Sequence, residues 1–214
     1  MTARDAGGTP YLTTVEGVAD FIAQRAASVS RLIVGLAGEP GSGKSTAAGQ
    51  IVGLLGSSAR LLAMDGFHLP QSRLVELGRR DQMGAPDTFD VDGFVSVLRR
   101  VREGGRADAP GFDRVIEEPI PGAITIAAET RTVLVEGNYL LHDGDGWQAS
   151  APLFDVRLYL DIDQALRRER LVARHIRFGK SPDAARAWTL GPDEANARLI
   201  AATAGRADHI VRLE

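Results

Sequence analysis

The sequence predicts a three-layer α/β domain with a mainly parallel sheet, and three observations carry that expectation. Apolar runs of strand length alternate with amphipathic helical stretches along most of the chain, the order expected of a parallel sheet covered by helices on both faces. Gly38-Glu39-Pro40-Gly41-Ser42-Gly43-Lys44-Ser45 spells G-x-x-x-x-G-K-[ST] in full, between one such run and one such helix. A length of 214 residues is enough for one well-buried domain and too short for two comfortable ones.

The elements follow in order. Residues 1–13 are expected to be a flexible N-terminal tail, polar and glycine-containing at its start, ahead of a single domain over 14–214. Val15, Val18, Ala19, Ile22 and Ala26 make one apolar face of a helix over 14–28. Arg31 to Ala37 is a buried strand, Ser45 to Leu55 a helix, and Arg60 to Met64 a second strand ending at Asp65-Gly66. Pro70 begins a short helix, and 78–88 is a charged loop. Asp90 suits the N-cap of a helix over 91–103 that Gly104-Gly105 terminates. Residues 107–128 carry Pro110, Pro119 and Pro121 and short β-like pieces such as 123–127, which predicts a small antiparallel excursion. Thr132 to Val135 and Val156 to Leu160 are further core strands. A long helix covers 163–178, two shorter helices flank Gly191-Pro192, and 209–213 is a terminal strand.

The glycine motif points to a nucleoside triphosphate. The backbone N–H groups of such a loop face inward, and the helix dipole adds positive potential, so together they cradle phosphates. Lys occurs only at 44 and 180 in a chain rich in Arg, so a Lys inside the motif is hard to ascribe to accident. Gly38, Glu39, Pro40, Gly41, Ser42, Gly43, Lys44, Ser45 and Thr46 are therefore the expected nucleotide cradle, with Lys44 on the β- and γ-phosphates and Ser45 on Mg²⁺. A dinucleotide loop is excluded, because G-x-G-x-x-G would need glycine where Thr46 stands. Gly179-Lys180-Ser181 is no second phosphate loop, since Arg174 occupies the place of its first glycine.

Ligands of open α/β sheets bind beyond the carboxyl ends of the strands, which singles out Asp65, Glu136 and Asp161. Asp65 is the expected general base toward an attacking hydroxyl. Glu136 ends an apolar run as an acid beside Mg²⁺ would, and Asp161 competes for that role. Arg167, Arg170, Arg174 and Arg177 share one helix face, where guanidinium groups of a lid over about 163–190 can clamp a transferring phosphoryl group. Arg170 and Arg174 are the candidates for direct action.

Composition excludes several classes. A net charge of −3 gives no sign of a nucleic-acid or acidic-membrane surface, and the absence of cysteine excludes disulfides and thiol chemistry. The apolar runs are far shorter than the ~20 residues of a membrane-spanning helix. A cytoplasmic location is expected. The four histidines lack metal-ligand spacing, so the metal expected is Mg²⁺ arriving with ATP.

Taken together, Gly38 to Thr46, Met64-Asp65-Gly66-Phe67-His68, Pro86-Asp87-Thr88-Phe89-Asp90, Val135-Glu136-Gly137-Asn138-Tyr139 and the Arg-rich helix resemble the P-loop kinase family of uridine kinase, bacterial pantothenate kinase and phosphoribulokinase. The resemblance spans about residues 30–213. It implies a P-loop NTPase fold with an Arg-rich helical lid and transfer of the ATP γ-phosphoryl group to a hydroxyl of a small polar metabolite: a sugar, a nucleoside or a pantothenate-like molecule. It also implies Asp65 as base and Glu136 as the aid to Mg²⁺. Asp87, Arg79 and Arg80 fall by the acceptor pocket of relatives, as do His68, Asp113 and Arg114. Phe112-Asp113-Arg114 departs from the Tyr and His pattern of uridine kinases, which argues against pyrimidine nucleosides. Some bacterial relatives are labelled kinases of a fructose transport system. The competing expectations are an ATP-binding regulator and a nucleoside-monophosphate kinase; a homodimer is open to all three.

Overall fold

The computed structural model describes residues 2–4 and 10–213. Among the described residues, nine strands and seven α-helices run in the order β1 (Thr2–Arg4), β2 (Pro10–Leu12), α1 (Val15–Ala26), β3 (Leu32–Gly38), α2 (Lys44–Leu55), β4 (Ala59–Ala63), α3 (Gln71–Glu76), α4 (Val91–Arg102), β5 (Ala107–Asp113), β6 (Glu118–Ile126), β7 (Thr132–Gly137), β8 (Val156–Leu160), α5 (Gln164–Arg177), α6 (Pro182–Trp188), α7 (Glu194–Ala201) and β9 (His209–Val211). The main sheet has the order β1-β2-β9-β8-β3-β7-β4 and is parallel except for the β1–β2 pair.

The central strand β3 is buried along its whole length, as a strand covered on both faces must be. Leu32, Val34 and Leu36 enter a core with Val18 and Ile22 of α1 and Ala48 and Ile51 of α2. Ile33 and Ala37 enter the opposite core, which holds Phe94 and Leu98 of α4, Trp147 and Ile200 of α7. The three-layer architecture follows from that alternation.

The cap at Asp90 matches the sequence reading, and Thr14 and Asp163 cap their helices as well. Thr14 accepts a hydrogen bond from the Gly17 N–H at 3.0 Å. Asp90 accepts from Gly93 at 2.9 Å, and Asp163 accepts from the N–H groups of both Ala165 and Leu166 at 2.9 Å.

Three details differ from expectation. Within the segment expected as a tail, β1 and β2 pair with each other and β2 joins β9, while Met1 and residues 5–9 lie outside the described residues. The strand over 60–64 ends at Ala63, and Met64–Phe67 form a 3₁₀ turn. The antiparallel excursion is a full hairpin, β5 with β6, whose register shifts between Ala109 and Gly111 around Pro110. Proline has no N–H to give to the ladder.

Candidate active site

Glycine geometry creates the loop between β3 and α2. Gly41 and Gly43 have φ of 82° and 90°, a region that side chains disfavour. A Cβ on Gly41 would stand 2.7 Å from the Leu171 side chain and 2.8 Å from the Arg167 carbonyl oxygen, so the lid helix lies directly on the loop. Lys44 opens α2 and is buried, its Nζ 3.5 Å from the Glu39 carbonyl oxygen. Burial lowers its pKa, against the pull of Glu136 and Asp65.

Ser45 Oγ donates to Glu136 Oε1 at 3.0 Å, at the end of β7. Burial, with Asp65 nearby, pushes the Glu136 carboxyl up despite Lys44 and that hydrogen bond. The competitor Asp161 lies elsewhere: its carboxylate accepts from Arg212 Nε at 2.6 Å and lines a different cleft.

Asp65 sits in the turn after β4 and is paired with Arg114 of the hairpin. Burial alone would raise its carboxyl, but Arg114, His68, Lys44 and Arg174 outweigh burial and hold it below its usual value. The hairpin reaches this position because Gly66 has no side chain: a Cβ there would stand 2.0 Å from the Pro110 carbonyl oxygen. The glycine thus serves close approach of two backbones.

Lys44, Ser45 and Asp65 line one cavity of about 170 Å³. His68, Arg80 and Arg114 line it too, whereas Arg79, Asp87 and Asp113 do not. Arg79 pairs with Asp87 at 2.6 Å and braces the 79–88 loop. Asp113 accepts from the Val115 N–H at 2.8 Å and shapes the hairpin turn. The His68 ring is stacked between Phe89 and Phe112, at centroid distances of 4.0 and 4.7 Å, and burial lowers its pKa.

The arginines of α5 divide. Arg174 enters the cavity, and burial, then Arg114, lowers its pKa. Arg170 faces the other side of the loop, its Nη1 3.4 Å from the Ser42 carbonyl oxygen, in a cleft of about 840 Å³ shared with Gly43 and Thr46. Arg177 is exposed. Arg167, expected on the same working face, is instead fully buried and pairs with Glu39 at 3.1 Å and Glu194 at 2.5 Å. Spacing alone cannot show which part of a helix face another segment covers.

Sequence reasoning missed the contribution of residues 175–196, namely His175, Lys180, Trp188, Asp193 and Asn196, and also Asn138 on the β7 side. His175 and Asp193 are 2.7 Å apart. Asn138 stands in the Glu-Gly-Asn-Tyr block, and Lys180 is one of only two lysines; these were the available signals.

The pattern of the phosphoribulokinase / uridine kinase family matches residues 33–212. The chain belongs to that family. It is a P-loop kinase, and its family implies the use of ATP. A Schizosaccharomyces pombe protein provisionally named a uridine kinase is 35% identical over 163 residues, covering 70% of this chain and 68% of that one. Escherichia coli (strain K12) YggC is 34% identical over 188 residues, covering 86% and 78%. Among solved structures, a Silicibacter sp. TM1040 protein provisionally named a fructose transport system kinase is 36% identical, covers 94% of this chain and 99% of its own, and superposes with a TM-score of 0.85. Among the described residues no helix is long and apolar enough to cross a membrane.

Proposed function

We propose that this kinase transfers the γ-phosphoryl group of ATP to a hydroxyl of a small polar metabolite in the cytoplasm, with Asp65 as general base. One observation carries the reading: the phosphate-loop residues Lys44 and Ser45 share a cavity with Asp65, a carboxylate kept ionised by its cationic neighbours. A hydroxyl seated there faces both the base that takes its proton and the loop that presents the phosphoryl group.

The nucleotide would lie along the cleft lined by Ser42, Gly43, Thr46 and Arg170, with its terminal phosphate turned toward Lys44 and Arg174. Ser45 and Glu136 offer two oxygen donors 3.0 Å apart, a fit for Mg²⁺, which takes one or two protein ligands and fills its shell with phosphate and water. No cluster of three or more candidate metal ligands exists among the described residues, so the protein's own share is small. Bound there, Mg²⁺ would neutralise charge on the transferring phosphoryl group. Arg174 meets the same charge from the lid side.

The test is acceptor-dependent ADP formation with Mg²⁺ over sugars, sugar phosphates, nucleosides, nucleoside monophosphates and pantothenate. Asp65→Asn is expected to keep ATP affinity within a few-fold and to lose turnover by about 10² or more. Undiminished turnover in that variant refutes the assignment of the base. ATP binding with no acceptor-dependent turnover across the panel favours a regulator.

A further inference from the structure

We infer that the acceptor of this kinase carries an anionic oxygen group, a carboxylate or a phosphate, and that Lys180 binds it; this rests on the kinase reading above. The inference comes from the charge pairing inside the cavity. Its three acids are each engaged: Asp65 with Arg114, Glu117 with Arg80 at 2.6 Å, and Asp193 with His175 at 2.7 Å. Three lining cations, Lys44, Arg174 and Lys180, have no carboxylate within ion-pair distance among the described residues. Lys44 and Arg174 both lower the Asp65 pKa, which puts them around the transfer point. They are matched to the phosphoryl group.

Lys180 is left over. It stands in the turn between α5 and α6, beyond Arg174, with its Nζ 4.5 Å from the centre of the Trp188 ring. That cation–π contact holds the ammonium in place without neutralising it. The wall around it comes from α6, α7 and the 83–84 turn, which Asn196 ties down by donating to the Gly84 carbonyl oxygen at 3.2 Å. A lone cation on a partly enclosed wall favours a negatively charged ligand group, because the screening that weakens surface pairs is reduced there.

Two further features narrow the acceptor. The His68 ring packs against Phe89 and Phe112, and the Trp188 ring carries Lys180, so both rings are already engaged. Asn138 Oδ1 is buried with no partner and can accept from an acceptor hydroxyl. The ligand class is thus a small hydroxy acid or sugar phosphate.

The test uses matched pairs that differ in the anion: glycerate against glycerol, fructose 6-phosphate against fructose, and pantothenate against pantothenyl alcohol. In at least one pair the anionic member should exceed its neutral partner in kcat/KM by 100-fold or more. The pair that responds separates a carboxylate from a phosphate. Lys180→Ala should then raise the KM for that acceptor at least tenfold with little change in kcat, and Lys180→Arg should recover most of the loss. ATP affinity, measured by titration, should stay within twofold. If no pair turns over, the same compounds are titrated into enzyme saturated with Mg²⁺ and a non-hydrolysable ATP analogue, where a Lys180-dependent preference for an anionic member is still expected.

Neutral partners phosphorylated as well as the anionic ones would overturn this inference and leave the kinase standing. So would a Lys180→Ala variant whose loss falls on ATP, since Lys180 would then serve the phosphates. Equal or absent binding of all pairs overturns it too. A wild-type enzyme that binds an anionic compound in the Lys180-dependent manner yet transfers no phosphoryl group would instead count against the kinase reading.

Discussion

Arg167→Ala tests whether the lid is fastened by a buried charge network. The Arg167 side chain is 0% exposed, and its partners Glu39 and Glu194 have side chains 5% and 12% exposed. It also donates from Nε to Gln164 Oε1 at 2.8 Å. Truncation leaves the buried Glu39 carboxylate without a cation and Glu194 with only the partly exposed Arg168, and breaking a buried pair in this way costs about 3–5 kcal/mol. The neighbouring Arg168 also pairs with Glu194, at 2.7 Å, but its side chain is 43% exposed, and pairs of that kind contribute about 0–1 kcal/mol. Urea unfolding of the two single variants therefore separates them. With a slope of about 2 kcal/mol/M, Arg167→Ala should lower the midpoint by about 2 M and Arg168→Ala by less than 0.5 M. Adding Glu39→Gln and Glu194→Gln to Arg167→Met should recover much of the loss, because no stranded charge remains. Equal, small losses in Arg167→Ala and Arg168→Ala would refute the reasoning, since they would mean that water reaches the network.

Further predictions concern the site and its supports. Arg114→Ala removes the chief cation opposing the burial of Asp65; the carboxyl pKa rises, so the acid limb of the kcat/KM profile should move to higher pH, and an unmoved limb counts against Asp65 as base. Gly66→Ala forces a Cβ to within 2.0 Å of the Pro110 carbonyl oxygen and should displace the hairpin, raising acceptor KM about tenfold or more while ATP affinity measured by titration holds; equal losses for both substrates would refute the separate roles. Glu194 is held down to about 2 by Arg168 and Arg167, from an ordinary 4.5. Its contribution to stability is full above pH 4.5 and is lost as pH falls toward 2, so Glu194→Gln should flatten the fall in thermal midpoint over that window.

Much of the fold was legible because its signals are local. The apolar run of β3, the glycines after it and the cap at Asp90 depend on residues within a few positions of one another. The placement of the phosphate loop, Asp65 and Glu136 at or just beyond strand ends was legible for the same reason. What escaped depends on distant partners. Arg170 and Arg174 have the same spacing pattern as Arg167, yet only Arg167 meets Glu39, well over a hundred residues earlier, and Glu194. The cavity wall combines the 80–84 turn, the hairpin and the helices after β8, three segments whose meeting no local pattern announces. The extent of the hairpin was obscured because Pro110, Gly111, Pro119 and Pro121 interrupt the alternation by which strands are recognised.

The second residue of the phosphate motif, a wildcard in its pattern, has a defined structural part here. Glu39 accepts from Gln164 Nε2 at 2.9 Å and from the Tyr159 hydroxyl at 3.3 Å, in addition to pairing with Arg167. Burial and Glu39 together push the Tyr159 phenol well above its usual pKa, so it remains a donor. The first turn of α5 is thereby bound to the loop that holds the phosphates. From that anchor a helix rises ~1.5 Å per residue, so Arg170 and Arg174 stand about 4.5 and 10.5 Å further along the axis. The first position reaches the Ser42 carbonyl on the nucleotide side, and the second enters the cavity beside Asp65. The anchoring Arg167 is fully buried whereas Phe178 at the far end is 47% exposed, so the helix is secured where it meets the loop. A substitution at Glu39 should thus act on both arginines at once, whereas one beyond Phe178 should act on acceptor binding alone.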